Sequence, residues 1–179
     1  MPGNTLKERY VDELRNLYDN EKQLIKALPK MAKAADSDEL RSGIQHHLEQ
    51  TKEHAKRIEQ IFHALGESVD RKKCKGIRGI IAEGSALLKE EREGSVRDSA
   101  IIASAQRAEH YEIAAYGTVR EFAQVLGENE AASLLSQTLD EEKETDRKLT
   151  ELANGINEAA RDVRPAEEAG KHHVKSAGG

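Results

Sequence analysis

The sequence predicts an all-α fold, an antiparallel four-helix bundle with an additional crossover helix, and three observations lead there. Ala, Leu, Glu and Lys dominate the 179 residues, and no proline falls between Pro29 and Pro165. These side chains lose little rotamer freedom in a helix. No segment shows the β-branched alternation of a half-buried strand. Capping and stop signals then cut the chain into four long helices of matched length and one shorter one. The length suits one domain with a continuous core.

The first helix opens with Thr5 and Glu8 in capping-box spacing and is expected to run to about Ala35, with Pro29 late enough to kink only its last turns. The second is expected to begin near Asp36 and Ser37, with Glu39 in the box position, and to stop at Gly66, which suits a left-handed C-terminal residue. The third spans about Arg71 to Arg92. Ser95 and Asp98 are read as caps of the fourth, which ends at Gly127, and Asn129 as the cap of the fifth, which ends near Asn154-Gly155. Residues 1–155 are thus expected to form the bundle, and residues 156–179 a polar, flexible tail. Helices one, two, four and five each have about 25–30 residues, roughly 40 Å at the α-helical rise. Two matched pairs joined by a long connection that holds a shorter helix is the ferritin-like arrangement rather than a simple up-down bundle. A long coiled-coil dimer is disfavoured because the caps separate the helices.

Helical spacing assigns the inner faces. In the first helix the stripe is Leu14, Leu17, Tyr18, Leu24, Ile25 and Leu28, with Glu21 in its middle. In the fourth it runs through Ile101, Ala105, Ala108, Tyr116, Val119 and Ala123, and Glu109 and Glu112 continue it. In the fifth, Leu135, Leu139, Leu149 and Leu152 define the stripe, and Glu142 lies on it. The second helix presents Leu40, Ile44, Leu48, Ala55, Ile58 and Phe62, centred on Thr51, with His47 and His54 at one edge. Four glutamates from three helices therefore stand where apolar residues are expected. An isolated buried carboxylate is costly and tends to take up a proton. Several converging ones repel unless protons or cations compensate. A pair of divalent metals bridged by carboxylates, with histidine as neutral ligand, solves that problem. Read as ordinary solvated residues, the glutamates would need no partner, but their recurrence in the middle turns of three helices favours the metal reading.

At these residues the sequence resembles the YciF-like family of ferritin-like stress proteins. The likeness lies in Ala108-Glu109-His110-Tyr111-Glu112-Ile113-Ala114-Ala115-Tyr116-Gly117, in Asn20-Glu21-Lys22-Gln23-Leu24, in His47-Leu48-Glu49, and in Glu141-Glu142-Lys143 followed by Thr145-Asp146 and Lys148-Leu149. It extends from about Leu6 to Leu152. The resemblance implies a ferritin-like fold and a stress-associated role. A wider resemblance, to rubrerythrin and other di-iron bundles, implies a Glu on the first long helix, Glu-x-x-His on the second, Glu-x-x-Glu on the third and Glu-x-x-His on the fourth. Glu21, His54, Glu109, Glu112 and Glu142 fit that pattern as metal ligands. Thr51 and Thr145 depart from it, standing where a bridging Glu and a His would be. Glu49, Asp146 or water is a candidate to compensate, although helical phase places Glu49 away from the core.

The resemblance implies iron, or manganese, in a dinuclear site, with iron oxidation or peroxide reduction as the natural chemistry. The competing expectation is a non-catalytic scaffold that kept the bundle after losing ligands at Thr51 and Thr145. A homodimer is expected, because the third helix carries surplus apolar surface in Ile77, Ile80, Ile81, Leu87 and Leu88. The net charge of -5 argues against a constitutive nucleic-acid binder. Gly76-Ile77-Arg78-Gly79 matches an RNA-binding GxxG loop but lacks flanking strands; Gly76, Gly79 and Gly84 are expected instead to let the third helix lie close to its neighbour. Cys74 is the single cysteine, so an internal disulfide and a cysteine zinc cluster are excluded. With no long apolar run and no signal-peptide pattern, a cytoplasmic, non-membrane protein is expected. Tyr18 and Tyr116 are expected about one turn from Glu21 and Glu112, as packing residues or as supports for the carboxylates. His46 is expected in solvent and His47 as an edge residue. His172 and His173 are expected in the tail.

Overall fold

A computed structural model describes residues 5–90 and 93–163. The helices are α1 (Leu6–Ala34), α2 (Asp38–Leu65), α3 (Lys75–Glu90), α4 (Ser95–Val125) and α5 (Asn129–Arg161), and no strand occurs among the described residues. The Thr5–Glu8 capping box forms as expected. Gly66 ends α2 with φ 69°, in the left-handed region. α1 continues through Pro29.

Five expected boundaries change, most of them because tertiary partners override a local signal. Asp98 does not cap α4; it is buried, and its two oxygens accept the backbone N–H groups of Asp36 and Ser37 at 2.8 Å each. Ser37 rather than Asp36 is the N-cap of α2, which leaves Glu39 out of box register. Gly94 precedes α4, and its N–H donates to the Asp36 carboxylate at 2.6 Å. The α1–α2 turn is thereby tied to the start of α4. Glu128, not Asn129, is the N-cap of α5. α5 runs past Asn154-Gly155 to Arg161, because Leu152, Ala153 and Ile156 pack against the core. That burial outweighs the roughly 1 kcal/mol a mid-helix glycine costs. α3 starts at Lys75 rather than Arg71, because Lys72 and Cys74 donate their N–H groups to Arg15 and Asp19 of α1. Arg92 and residues 164–179, with His172 and His173, lie outside the described residues.

α1 packs on α2 and α4 on α5, while α1–α4 and α2–α5 contacts close the ring. Neighbours run antiparallel: Asn20 meets Glu112 and Asp36 meets Asp98 across α1–α4, and Arg57 meets Thr138 while His47 meets Thr145 across α2–α5. α2 and α4 are therefore parallel, and the connection between them must climb the bundle. α3 fills that climb, lying on α4 and α1. Gly76 permits the approach, since a Cβ there would meet the Tyr111 ring at 2.5 Å; Gly84 faces Ser104, whereas Gly79 faces open space.

The core has two apolar clusters. One, at the end holding the α2 C-terminus, contains Tyr10, Leu14, Leu17, Ile58, Phe62, Tyr116 and Leu135. The other contains Leu24, Leu28, Leu40, Ile44, Ile101, Ala105 and Leu149. Between them lies a layer of buried charge.

Candidate metal centre

Four helices supply this layer. Glu21 (α1), His54 (α2), Glu112 (α4) and Glu142 (α5) are each 0% exposed, and Glu109 is 2% exposed. All five sequence-predicted ligands are thus brought together. Their ligand atoms form two groups, Glu21–His54–Glu142 and His47–Glu109–Glu112–Glu142, each with its atoms within 4.8 Å of one another. Glu142 belongs to both.

His47 is the residue whose place differs from the sequence expectation. It is buried rather than at the edge, with Nε2 3.2 Å from Glu109 Oε1 and 4.0 Å from Glu142 Oε2. Thr51 and Thr145 explain its position. Thr51 turns its hydroxyl back to the His47 carbonyl at 2.8 Å, and Thr145 Oγ1 lies 3.4 Å from His47 Nδ1. Two short side chains leave room for an imidazole one turn earlier on α2 than a bridging Glu would sit. The available sequence signal is the four-residue spacing from His47 to Thr51, which puts both on one face. Glu49 and Asp146 do not compensate: Glu49 is exposed and pairs with Lys52, and Asp146 pairs with His110 and Gln106.

The two groups are held differently. Tyr116 donates a short hydrogen bond to Glu21. His54 Nε2 meets Glu141 at 2.8 Å, and Arg57 grips Glu141 in bidentate fashion at 2.6 and 2.9 Å. That contact turns His54 Nδ1 inward, 2.9 Å from Glu142 and 3.9 Å from Glu21. Asn20, a support not anticipated from sequence, donates to Glu112 at 2.6 Å. Tyr116 therefore serves Glu21 rather than Glu112, and Tyr18 bonds Glu59 near the surface instead of the site.

Charge is balanced by shifted protonation. Burial, then the Glu142 charge, pushes Glu109 and Glu112 well above the usual carboxylate range. Burial also raises Glu21, against the pull of His54, to about 7. Burial acts to raise Glu142 too, but His54 and His47 hold it below its ordinary value. For His54, burial favours the neutral ring, yet Glu142, Glu21 and Glu141 override it and bring the imidazole to about 9. Burial lowers His47. The layer thus centres on a Glu142–His54 ion pair, with burial favouring the neutral form of Glu109 and Glu112 beside it.

The fit to a metal can be judged from unsatisfied atoms. Glu142 has only the two histidines and its fellow carboxyls to answer its charge, and Glu21 Oε2 and Glu112 Oε2 are buried without a hydrogen-bond partner among the described residues. Buried polar groups are rarely left so. Hard carboxylate oxygens with imidazole nitrogen suit iron, manganese or zinc.

Residues 5–161 match the family described as "Domain of unknown function (DUF892)". The chain belongs to the DUF892 family. It is 41% identical over 158 residues to Protein YciF of Escherichia coli (strain K12), a match covering 87% of this chain and 95% of that protein. The crystal structure of the E. coli stress protein YciF superposes with a TM-score of 0.84 at 39% identity, covering 87% of this chain and 99% of that one. YcfI, a putative structural protein from Rhodopseudomonas palustris, gives 0.81 at 38% identity over 82% of this chain and 94% of that one. A protein from Xanthomonas campestris pv. campestris gives 0.72 at 22% identity over 88% and 97%, and speaks to the fold alone. This DUF892 chain is YciF-like and all-α, with a buried His/Glu cluster able to hold a metal ion. Among the described residues no helix is long and apolar enough to cross a membrane.

Proposed function

We propose that this protein holds a pair of iron or manganese ions in the carboxylate layer and acts in stress protection. One observation carries the reading: Glu142, fully buried, belongs to both ligand groups, with one oxygen facing His54 at 2.9 Å and the other facing His47 at 4.0 Å, so a single carboxylate serves both halves of the layer. Glu21 and His54 would hold one ion, and His47, Glu109 and Glu112 the other. The stress role follows the relative YciF, described as a stress protein. Bound iron would supply one-electron redox chemistry, which suits iron oxidation or peroxide reduction.

The chain's own residues would prepare that chemistry. Tyr116 and Asn20 fix one oxygen each of Glu21 and Glu112 and leave the other free. Glu141 and Arg57 set the His54 ring so that Nδ1 faces inward. Because burial raises the glutamates and their charges raise His54, ion uptake is expected to release protons, and affinity to rise with pH. The proposed partner is a second copy of the chain. The support from α3 is narrow: Ile80, Ile81 and Leu88 pack against the core and line the cavity beside it, which leaves Leu87 as the partly exposed large apolar residue of that helix outside both. The reading is tested by elemental analysis of protein purified without chelator, followed by a stopped-flow iron-oxidation assay. Near two equivalents per chain with oxidation faster than in buffer supports it. Absence of bound metal, with no gain in stability from added iron or manganese, replaces it with the non-catalytic scaffold.

A further inference from the structure

On the side away from Phe62, the helices do not close over the carboxylate layer. A cavity of about 570 Å³ lies there, within the size range of small-molecule sites. Its inner wall is apolar, built by residues such as Leu28, Ile44, Ile101, Ala105 and Leu149, and it reaches Glu109 and His47. α2 lines it from Leu40 to Gln50, about 15 Å at the α-helical rise, so the space is elongated. Ser104 and Glu109 belong to its lining, and the Ser104 hydroxyl is buried without a hydrogen-bond partner among the described residues. The exposed part of the lining has a different character. Apart from buried Glu109, its Asp, Glu, Lys and Arg residues are Lys26, Lys30 and Lys148, cations on a chain of net charge -5. Lys148 pairs with Glu144 at 3.6 Å, whereas Lys26 and Lys30, one turn apart on α1, have no ion pair among the described residues.

We propose that this cavity binds a straight-chain fatty acid of medium length, its alkyl chain along the apolar wall and its carboxylate at Lys26 and Lys30. An elongated wall that is mainly apolar favours a flexible hydrocarbon over a polar metabolite, most of whose groups would lose water without gaining partners away from Ser104 and Glu109. A peptide would set its backbone polar groups against the apolar wall without partners. The unpaired lysines select an anionic head over a neutral one, and at the rim that head keeps much of its hydration. The assignment does not depend on metal, because the fatty acid is held by the wall and the rim.

The test is calorimetric titration of the full chain with decanoate and with decanol, in chelator so that carboxylate–metal ligation plays no part. One decanoate per chain is expected, with decanol at least about fivefold weaker, the scale of a partly exposed ion pair. The double variant Lys26→Ala with Lys30→Ala, which alters exposed residues only, is expected to weaken decanoate about fivefold and leave decanol unchanged. Ala105→Leu, checked for retained helicity, is expected to weaken both ligands. Failure of both ligands to bind overturns the proposal. Equal affinity for decanol overturns the head-group assignment, and indifference to Ala105→Leu puts the ligand outside the cavity. Uptake of decanoate only after a dimer is diluted to monomer shows that a second copy covers the cavity, and also overturns it.

Discussion

The two halves of the core, divided by the carboxylate layer, are packed by different side chains. The half around Tyr10, Phe62 and Tyr116, all 0% exposed, is filled by aromatic rings set among leucine and isoleucine. The half around Leu28, Ile101 and Ala105 has aliphatic and small side chains and encloses the cavity. The difference extends into the site. Glu21 and His54 lean on the aromatic half, through Tyr116 and through the Tyr116 ring 6.3 Å from His54. His47 and Glu109 border the cavity. One side of the layer is built to hold geometry, and the other to leave access.

The largest effect should come from breaking the filled half. Phe62→Ala is expected to cost about 3–5 kcal/mol, whereas Leu149→Ala, beside existing empty space, should cost about 2 kcal/mol. Urea unfolding of the metal-free protein measures both. Equal losses would mean that the halves are packed alike.

Metal should then report the asymmetry of the site. At about a hundredfold excess over its dissociation constant, manganese is expected to stabilise the protein by about 2.7 kcal/mol, on the order of 5–10 °C in Tm. Glu142→Gln, in both groups, should abolish the gain. Glu21→Gln should remove the tighter equivalent and Glu109→Gln the weaker, because Glu21 has a hydrogen-bond support beyond the layer and lies away from the cavity. Thermal melts beside equilibrium dialysis decide this. A single equivalent lost equally in all three variants would point to one mononuclear site.

A smaller effect concerns the Arg57–Glu141–His54 contact. Glu141→Gln keeps the volume but weakens the grip on His54. Loss of such a support typically lowers metal affinity by about 10–100-fold. The same titration checks it; unchanged affinity would leave Glu141 as a surface ion-pair residue.

Much of this architecture is legible in the amino-acid sequence, and the features that are not share a cause. Thr5, Gly66 and the five helices are legible because caps and periodicity are local. Glu21, Glu109, Glu112 and Glu142 are legible because a charge on an apolar stripe stands out against its own helix. Asp98 looks like a local cap, since sequence cannot tell which helix end a carboxylate serves; here it serves α2. Asn154-Gly155 looks like a stop because the packing of Ile156 is a tertiary fact. The place of His47 is hidden because it depends on the small volumes of Thr51, on its own helix, and Thr145, on another.

The smallest expected effect concerns protons, and it separates a metal layer from a structural ion-pair network. In the metal-free protein Glu112 sits well above its unfolded value, because burial and then Glu142 disfavour its charge. A carboxyl raised on folding contributes stability that is fully present below its unfolded pKa and is lost as pH rises through the folded value. Glu21, raised to about 7, acts in the same direction, as does His54, raised to about 9. His47, lowered by burial, acts in the opposite direction as pH rises toward its unfolded value, but the raised carboxyls and His54 outnumber it, so stability of the metal-free protein should fall as pH rises from about 5 to about 8. Glu112→Gln imitates the protonated side chain and can still accept the Asn20 hydrogen bond. It should match the wild type near pH 5 and exceed it near pH 8 by about 1 kcal/mol, a few degrees in Tm. With metal bound the order reverses, because the ion then stabilises the carboxylate. The check is melting of both proteins across that pH range, in chelator and in excess manganese. If Glu112→Gln lowers stability at every pH in chelator, Glu112 is a structural anion whose loss strands a cation, and the layer is not a metal site.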